Sequence, residues 1–480
     1  MVGIKSYGAY IPRYRMNHNT IFLSVGFLGT FPAPGENAVA NYDEDTLSMA
    51  VAAGIDCLSG MKREKVDGLY LATTSQPYML RQNSAIIATA LDLQPGMRTA
   101  DFIGSTKAGT SALLSAFDAV KGETSSSVLV CTSDCRLSKP GSSQEPLYGD
   151  GAAALLVGRD DVIATFEGSY SVSYDFPDRW RAAGEKFEHA WEDRFIRDEG
   201  YARVIPEIIS GLLKKYNLNI NDFAKIAYPG LYIREHGAIA KRLGVEPGRI
   251  QDTLLDKIGD TGSASPLMML AAALEDAKPG DKILVASFGN GGDALFFQVT
   301  EKIKGLADRR GVKKNLASKK ELSSYEKYLA FRNLAPMDLG MRGEESVRTP
   351  MSTLFRERKS ILSLCGSKCK RCGTPQYPAQ RVCVNPDCGA VDEMESYRFS
   401  DKNGVLFTYT GDNLAASIDP PAIYGIVDFE GGGRFWFDLT DCDLDSVKVG
   451  MPVQMTFRRR YVDEASGVYG YSWKATPIRA

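Results

Sequence analysis

Five cysteines lie between positions 365 and 388, and they offer the most specific chemistry in the sequence. Four of them, Cys369, Cys372, Cys383 and Cys388, follow the spacing C-x2-C-x10-C-x4-C. Two such pairs on tight turns can place four thiolates at the corners of a tetrahedron, about 2.3 Å from a zinc ion. Because the protein fills all four positions, the pattern predicts a structural zinc site. A four-cysteine iron site and unligated cysteines are the alternatives, and Cys365 is expected to be a small buried residue.

Few other side chains suit nucleophilic or acid–base chemistry. The chain has only three histidines, His18, His189 and His236. Histidine is the side chain whose ordinary pKa suits proton transfer near neutral pH, so His189 and His236 are catalytic candidates. The competing interpretation places both at surface or packing positions. Cys131 and Cys135 follow a predicted strand, and we expect them to be buried structural thiols.

The first 300 or so residues alternate β-rich runs with helical runs, and these elements must position any reactive side chains. The apolar, β-rich runs predict strands over 66–74, 126–134, 151–158, 281–292 and 294–300. Helical spacing predicts helices over 109–122, 263–281 and, further along the chain, 323–335. This alternation predicts an α/β unit.

The chain divides by composition into four expected segments. An α/β unit over 1–305 precedes a basic linker with a helix over 306–352, the cysteine-rich segment over 353–394 and a β-rich tail over 395–480. The tail has short strands with turn signals, as in a small barrel or sandwich. Residues 301–320 carry eight Lys and Arg against two acids. A solvated connection is the favoured interpretation over a nucleic-acid patch, because aromatic side chains are missing there.

The overall composition excludes several classes of protein. The 480 residues include 57 basic and 59 acidic side chains, with a formal net charge of -2. That balance argues against a whole-chain nucleic-acid binder or a polybasic membrane protein. No apolar run approaches the ~18–20 residues that span a bilayer, and the first residues lack a secretory pattern. We therefore expect a cytoplasmic protein with no membrane and no nucleic-acid partner.

Two parts of the sequence resemble known families. The segments LFRERKSILSLCGSKCKRCGTPQYP, GVLFTYTG and GYSWKATP resemble the zinc-ribbon and OB-fold family that accompanies archaeal thiolases and 3-hydroxy-3-methylglutaryl-CoA (HMG-CoA) synthases. The first 300 residues resemble an archaeal-type HMG-CoA synthase in segments such as IPRYRM, KAGTSALL, FPDRWRAAGE and IGDTGSASP. The resemblance implies an α/β thiolase fold with two five-layered α-β-α-β-α halves, followed by a zinc ribbon and a small β-barrel OB-fold. It also implies a homodimer, an acyl-CoA ligand and a possible separate thiolase subunit as partner.

The reactive positions of that family carry other residues in this chain. The resemblance places the acyl-accepting cysteine at Thr106, the acid–base glutamate at Thr74, the histidine at Pro229 and the asparagine at Asp260. A threonine hydroxyl without a base is a poor nucleophile, and proline cannot carry a proton. Asp260 has two interpretations that we leave open here. It is either a base whose pKa is raised in a dry pocket or a solvated turn residue.

Residues that bind coenzyme A (CoA) in the family have counterparts here. The resemblance assigns CoA contacts to Arg194 and Arg234, whose guanidinium forks suit phosphates. It assigns a glycine-rich wall of the thiolase site to Gly289, Gly291 and Gly292. His189 falls in a segment that lies near the acyl pocket in the family.

Two functions remain open from the sequence. The first is an acyl-CoA enzyme that forms or cleaves a carbon–carbon bond within a thiolase-type complex, without the usual Cys/Glu/His chemistry. The second is a non-catalytic acyl-CoA-binding scaffold subunit that organises a separate active thiolase. Ordinary HMG-CoA synthase activity is not expected, because the cysteine, glutamate and histidine are all missing. Single-stranded nucleic-acid binding by the OB-fold is disfavoured by the many acids of the tail.

Overall fold

The computed structural model describes residues 1–29, 34–340 and 348–479, which form two compact units. The first unit contains residues 1–40, 52–85 and 94–328. The second unit contains residues 41–51, 86–93 and the chain from 329 onward. Part of the predicted linker, residues 341–347, lies outside the described residues. The four expected segment boundaries therefore remain predictions.

The chain consists of short strands and helices in alternation. The strands are β1 Val2–Tyr10, β2 Tyr14–Asn17, β3 Glu36–Val39, β4 Gly68–Ala72, β5 Arg98–Phe102, β6 Ser127–Asp134, β7 Gly151–Arg159, β8 Ala164–Ser173, β9 Arg179–Trp180, β10 His189–Ala190, β11 Lys225–Ala227, β12 Lys282–Ala286, β13 Gly291–Val299, β14 Lys320–Glu321, β15 Cys365–Cys369, β16 Pro375–Gln376, β17 Met394–Arg398, β18 Asn403–Asp412, β19 Ala422–Phe429, β20 Arg434–Asp438, β21 Pro452–Asp463 and β22 Val468–Pro477. The helices are α1 His18–Val25, α2 Thr46–Cys57, α3 Asn83–Ala90, α4 Ala108–Lys121, α5 Asp193–Phe195, α6 Ala202–Tyr216, α7 Ile233–Leu243, α8 Leu255–Ile258, α9 Ser265–Asp276, α10 Gly311–Ala317, α11 Tyr325–Phe331, α12 Met351–Arg356 and α13 Arg358–Ile361. A π-helix, Ile196–Tyr201, joins α5 to α6. No helix of the described residues is long and apolar enough to cross a membrane.

A nine-stranded mixed sheet organises the first unit. Its strand order is β11-β12-β13-β8-β1-β7-β6-β4-β5. All eight residues of β6 and the first eight of β7 are buried, and each strand contains an apolar run, Val128–Cys131 in β6 and Ala152–Val157 in β7. Helices α4 and α9 contribute buried faces to the same apolar core. The helices and most of the strands predicted in this region are confirmed, apart from shifts of up to five residues at their ends. The strand predicted over 281–292 is shorter, because β12 ends at Ala286, and Gly291 and Gly292 belong to β13.

The basic stretch after the sheet is partly structural: the expectation of a solvated connection is wrong for Arg309, whereas Lys313, Lys314 and Lys319 are exposed. The Arg309 guanidinium is buried and donates to Ser6 Oγ and to the Tyr7 carbonyl, both at 2.6 Å. The Asp56 carboxylate accepts hydrogen bonds from the backbone N–H groups of Arg310 and Gly311 at the start of α10. Composition alone could not show this, because it does not distinguish a buried arginine that donates to carbonyl oxygens from an arginine exposed to solvent.

The second unit contains two small sheets. One has the order β16-β15-β17 and carries the cysteine-rich segment, and the other has the order β20-β19-β18-β21-β22. All strand pairs in the five-stranded sheet are antiparallel. Inward-facing residues alternate with outward-facing ones along β19, as expected for a half-buried strand. The predicted β-rich tail is thus confirmed.

Buried charges centred on Arg458 hold parts of the second unit together. The side chains of Arg458, Asp43 and Asp441 are each only 1% exposed. The Arg458 guanidinium lies 2.6 Å from Asp441 Oδ2 and 3.3 Å from Asp43 Oδ1, and it also contacts Glu44. Lys474 Nζ lies 3.0 Å from Asp43 Oδ2. Each buried charge therefore has an opposite charge beside it, as burial requires.

The protonation state of Asp441 follows from these neighbours. Burial alone would raise the pKa of Asp441, but the guanidinium groups of Arg458 and Arg479 outweigh it and hold that pKa well below its usual range. A carboxylate with a depressed pKa contributes stability that is fully present above the unfolded-state pKa of about 3.9. That contribution is lost as the pH falls through the lower folded-state pKa.

We expect Arg458→Met to lower the free energy of unfolding of the second unit by about 3–5 kcal/mol, because it leaves buried carboxylates without their cation. Urea denaturation combined with hydrogen exchange of β21 and β22 measures this loss. Arg434→Met is the matched control, since Arg434 is an exposed arginine of the same sheet that pairs with Asp428. The control should leave unfolding unchanged. Equal effects of the two substitutions would contradict the role assigned to the buried cluster.

Candidate functional site

A cavity in the first unit brings together three of the four positions predicted to carry the reaction. Thr106, Pro229 and Asp260 line it, together with Asp178 and Arg179. These three residues come from separate parts of the chain: Thr106 precedes α4, Pro229 follows β11 and Asp260 follows α8. The enclosed space is about 20 Å³, which is room for a group slightly larger than one water molecule.

The Thr106 hydroxyl is held in a hydrogen bond that does not activate it. Its Oγ1 donates to the Phe288 carbonyl at 2.8 Å. Gly289 packs directly against it, because a Cβ built at this glycine would lie 2.3 Å from Thr106 Oγ1. The backbone of Gly289 has φ +156°. A larger residue would therefore clash there, and a carbonyl oxygen cannot remove the threonine proton.

The predicted histidine position and the two candidate histidines do not form a proton-transfer system with the cavity. The Pro229 carbonyl accepts a 2.5 Å hydrogen bond from the buried Tyr201 hydroxyl. His236 lies on α7 with its ring stacked on Tyr228 at 4.1 Å, and burial lowers its pKa, which favours the neutral ring. His189 lies on β10, half-exposed, with its Nε2 3.0 Å from Glu185. Among the described residues, those that line the cavity include neither histidine.

The structure contradicts both interpretations of Asp260. The residue is only 7% exposed, so it is not a solvated turn residue. The Arg136 guanidinium lies 2.6 Å from Asp260 Oδ2, and the Arg179 guanidinium lies 3.5 Å from the same oxygen. Burial would raise the pKa of Asp260, but the two guanidinium groups and the Gly262 N–H outweigh it, and the pKa is lowered. Asp260 is therefore an ion-paired carboxylate rather than a base with a raised pKa.

A tyrosine and a glutamate complete this buried ionic network. The Tyr148 hydroxyl donates to Glu188 Oε2 at 2.8 Å. The Arg136 guanidinium lies 4.0 Å from the Tyr148 ring centroid and 3.7 Å from the Glu188 carboxylate. Burial is the largest cause that raises the pKa of Tyr148 to about 12, so its hydroxyl remains a donor. Within this network, two carboxylates balance the two guanidinium groups of Arg136 and Arg179.

Thr74, the fourth predicted position, is held by a carboxylate from the neighbouring strand. Asp134 Oδ1 accepts hydrogen bonds from the Thr74 N–H at 2.7 Å and from its hydroxyl at 3.0 Å. Asp134 Oδ2 accepts from the N–H and hydroxyl of Ser263 at 2.7 and 2.8 Å. Because both oxygens of Asp134 already accept several donors, this carboxylate fixes the ends of two strands and a loop.

Asp178 is a second carboxyl group in the cavity wall. The residue is 6% exposed, and burial is the largest cause that raises its pKa above the usual range. Neither Asp178 nor Arg179, Arg136, Tyr148 or Glu188 was identified from the sequence. The first two lie in the segment FPDRWRAAGE, whose family resemblance was the signal that could have pointed to them.

The residues predicted to bind CoA differ in their exposure to solvent. Arg194 is on α5 with 86% of its side chain exposed, and its Nε lies 3.6 Å from Asp198. Arg234 is exposed on α7. Gly291 begins β13 with φ +107°, and Gly292 follows it, while Gly289 contacts Thr106 as described above. The cavity wall among the described residues does not include either arginine.

The four predicted cysteine ligands lie together in the second unit. Their sulfur atoms are all within 4.8 Å of one another. The Sγ atoms of Cys369 and Cys388 are 3.7 Å apart, and those of Cys372 and Cys383 are 3.5 Å apart. A tetrahedral zinc site with 2.3 Å bonds needs sulfur separations of about 3.8 Å, so the group fits zinc. Cys365 and Cys131 are buried outside this group, as expected, whereas Cys135 is only partly buried.

Comparison with known proteins agrees with these features. Residues 213–295 match the family model "3-Oxoacyl-[acyl-carrier-protein (ACP)] synthase III C terminal". Residues 358–395 match the "ChsH2, rubredoxin-like zinc ribbon domain", and residues 397–458 match the "ChsH2, C-terminal OB-fold domain". The prediction of a zinc ribbon followed by an OB-fold is confirmed.

Solved structures show the same fold in the first part of the chain. A crystal structure of an HMG-CoA synthase complexed with CoA superposes with a TM-score of 0.63 at 19% identity, covering 73% of this chain and 94% of that one. The 3-oxoacyl-[acyl-carrier-protein] synthase III of Thermus thermophilus gives 0.57 at 21% identity, covering 62% and 98%. The predicted thiolase fold is confirmed.

Curated relatives identify the family. The hydroxymethylglutaryl-CoA synthase of Thermococcus gammatolerans is 33% identical over 336 residues, covering 69% of this chain and 94% of the relative. The synthase of Methanopyrus kandleri is 31% identical over 317 residues, covering 64% and 90%. On this evidence the chain belongs to the hydroxymethylglutaryl-CoA synthase family, with a zinc ribbon and an OB-fold at its C-terminal end.

Proposed function

We propose that this protein binds an acyl-CoA in the first unit and acts in the formation or cleavage of a carbon–carbon bond in its acyl part, without transferring the acyl group to a protein side chain. One observation carries the proposal. The cavity is lined by Thr106, which the family resemblance places at the nucleophile's position, and the Thr106 hydroxyl donates to the Phe288 carbonyl. The cavity wall instead offers a carboxyl group and a guanidinium, from Asp178 and Arg179.

Binding and acyl transfer depend on different groups, so one can persist without the other. Binding needs a shaped cavity and cations for phosphates, whereas acyl transfer to the protein needs an activated nucleophile and a proton carrier. The similar HMG-CoA synthase that was solved with CoA supports CoA as the ligand class. Exposed arginines such as Arg194 and Arg234 suit the phosphates at the surface, and the thioester would then point toward the cavity.

The second candidate is a scaffold that binds acyl-CoA but does not react with it. The hydrogen bond from the Thr106 hydroxyl to the Phe288 carbonyl favours the scaffold, because it does not activate Thr106 as a nucleophile. The fused zinc ribbon and OB-fold would then serve a separate thiolase subunit. Both candidates predict acyl-CoA binding, and only the first predicts that bound acyl-CoA undergoes a chemical change.

We expect acetyl-CoA to bind without leaving an acyl adduct on Thr106, because a threonine alkoxide is far harder to form near neutral pH than a thiolate. Calorimetry measures the binding, and mass spectrometry of the intact chain and its peptides detects any adduct. Arg234→Gln should weaken CoA binding about three- to tenfold, the range for one exposed charge-assisted contact. Arg203→Gln is the control, since Arg203 is an exposed arginine that pairs with Glu199 on the adjoining helix. An acylated Thr106, or no CoA binding, would contradict the proposed function.

We propose that the ribbon holds one zinc ion through Cys369, Cys372, Cys383 and Cys388. The sulfur separations carry this proposal, and the four thiolates leave no position for a substrate. The ion's contribution is therefore to folding, since binding free energy at a structural site is largely folding free energy.

We expect elemental analysis to find one zinc per chain, and Cys369→Ser with Cys383→Ser to abolish it. Loss of the metal should increase hydrogen exchange in β15 and β17, because the ribbon has only a small core of its own. Cys365→Ala is the matched control and should keep the metal. Iron in place of zinc, or full zinc content in the double variant, would contradict the site.

We also propose that the first unit forms a homodimer. Strand β5 lies at one end of the nine-stranded sheet, and such an edge is a template for pairing with another chain. Met79 and Leu80 are 68% and 95% exposed, which is costly for apolar side chains left in water.

Light scattering at micromolar concentration should give a mass of about 105 kDa, twice the chain mass of 52.4 kDa. Leu80→Glu should lower the fraction of dimer, because it places a charge in the predicted interface. A mass near that of one chain for the unmodified protein would rule out the dimer.

A further inference from the structure

The proposed function leaves open which group moves the proton, and the cavity wall contains a candidate. Resting on that function, we propose that Asp178 removes and returns a proton at the carbon beside the thioester carbonyl, while Arg179 holds the carbonyl oxygen as it becomes negative. The two residues are consecutive in the chain, and both line the cavity that contains Thr106 and Asp260. No position of the family's usual reactive set includes them.

The backbone around Asp178 is fixed on both sides. Its N–H donates to the Phe176 carbonyl at 2.9 Å, and its own carbonyl accepts from the Trp191 N–H at 3.0 Å. The following residue, Arg179, pairs with Ala190 in the two-stranded sheet of β9 and β10. A reactive group on such a hairpin keeps its position relative to the cavity, as catalysis requires.

The pKa values of the two carboxyl groups in the cavity are shifted in opposite directions, and this difference indicates which of them is the base. Asp260 has two guanidinium groups beside it, and its pKa is lowered, so it remains a counterion. Asp178 has burial as its dominant influence, and its pKa is raised, which makes its carboxylate a better proton acceptor. Two carboxyl groups whose environments push their pKa values apart are typical of a divided acid–base task. Two other carboxylates nearby are already engaged: Asp134 accepts from Thr74 and Ser263, and Glu188 accepts from Tyr148.

Arg179 has donors available for a second anion. A guanidinium carries five N–H donors, and the contact with Asp260 Oδ2 at 3.5 Å is long for a strong hydrogen bond. Arg136 already pairs with the same carboxylate at 2.6 Å. An enolate oxygen in the cavity would therefore meet a positively charged donor that is not fully committed to Asp260.

The step is balanced without any cofactor. The carboxylate of Asp178 takes the proton from the carbon beside the thioester carbonyl, and the C–H electron pair becomes the enolate on the oxygen that Arg179 holds. The enolate carbon attacks the carbonyl carbon of a second substrate, an aldehyde or a ketone, so a carbon–carbon bond forms as the C=O π bond opens. The oxygen of that carbonyl receives the proton from Asp178. The thioester C–S bond stays intact, and the reverse sequence cleaves the same carbon–carbon bond.

The first half of this step can be tested with acetyl-CoA alone. The full-length, zinc-loaded protein is incubated with acetyl-CoA in D2O, and mass spectrometry follows deuterium in the acetyl group. We expect the unmodified protein to accelerate exchange over a protein-free control. Asp178→Asn should slow that exchange at least about 100-fold, the usual size of a general-base contribution. Asp175→Asn is the matched control, since Asp175 is exposed three positions away, and it should exchange at the unmodified rate.

Two further measurements separate a proton-transferring role from a structural one. In Asp178→Asn the maximal exchange rate should fall, while the acetyl-CoA concentration for half-maximal rate changes less than about twofold. In the unmodified protein the exchange rate should rise with pH as the Asp178 carboxyl deprotonates, and then level off. The charged groups that act on this carboxyl are Arg179, which lowers its pKa, and Glu188, which raises it. Asp178→Glu, which keeps a carboxylate, should recover part of the rate that Asp178→Asn loses.

The outcomes distinguish this proposal from the proposed function. If CoA and acetyl-CoA do not bind, the proposed function fails. If they bind and the unmodified protein exchanges no deuterium, the role of Asp178 is overturned while acyl-CoA binding stands. Exchange that persists in Asp178→Asn also overturns it. An equal loss of exchange rate in Asp178→Asn and Asp178→Glu, together with weaker CoA binding, would overturn it too, because that result would show that Asp178 has a structural role.

Discussion

The sharing of the Asp260 carboxylate by the guanidinium groups of the buried Arg136 and the partly buried Arg179 is the constraint on which the candidate site depends. Arg136 and Arg179 bring two positive charges into the interior, where an unpaired charge would cost several kcal/mol. Asp260 and Glu188 compensate them, and Tyr148 lies against the Arg136 guanidinium while donating to Glu188. An asparagine at position 260 could donate and accept hydrogen bonds but could not neutralise these arginines. The presence of Asp260 and the presence of Arg136 and Arg179 therefore have to be explained together.

This network also bears on the proposal that the cavity supports a reaction other than acyl transfer to the protein. The carboxylate at position 260 is committed to cations, and the Thr106 hydroxyl is committed to a carbonyl. Neither can act as the nucleophile or its base. Asp178 lies in the same wall and has burial, rather than a cation, as the main influence on its pKa. A cavity that loses its covalent nucleophile can still stabilise an anion if a guanidinium remains within reach. These features support the proposal of an enolate rather than an acyl-enzyme.

Much of the fold followed from local patterns, whereas the site did not. The strands Ser127–Asp134 and Gly151–Arg159 are buried, apart from Arg159 at the end of the second, and each contains an apolar run. The cysteine spacing directly encodes a four-sulfur cluster, because the ligands are close in sequence. The pair Arg136–Asp260 joins residues 124 positions apart, and no periodicity connects them. The direction of the pKa change of Asp260 depends on that pair, so the sequence alone left its role open.

The same limit applies to the second unit, where charge pairing links distant segments. Arg458 on β21 meets Asp43 across 415 positions, and Lys474 on β22 meets the same carboxylate. Neither the basic run around Arg458 nor the acidic run around Asp43 is unusual by composition, and each resembles an ordinary solvated surface. Burial converts them into a specific contact, because a buried charge is tolerated only with its partner in place. The early segment that contains Asp43 is therefore part of the second unit's structure, even though most of that unit is encoded after residue 328.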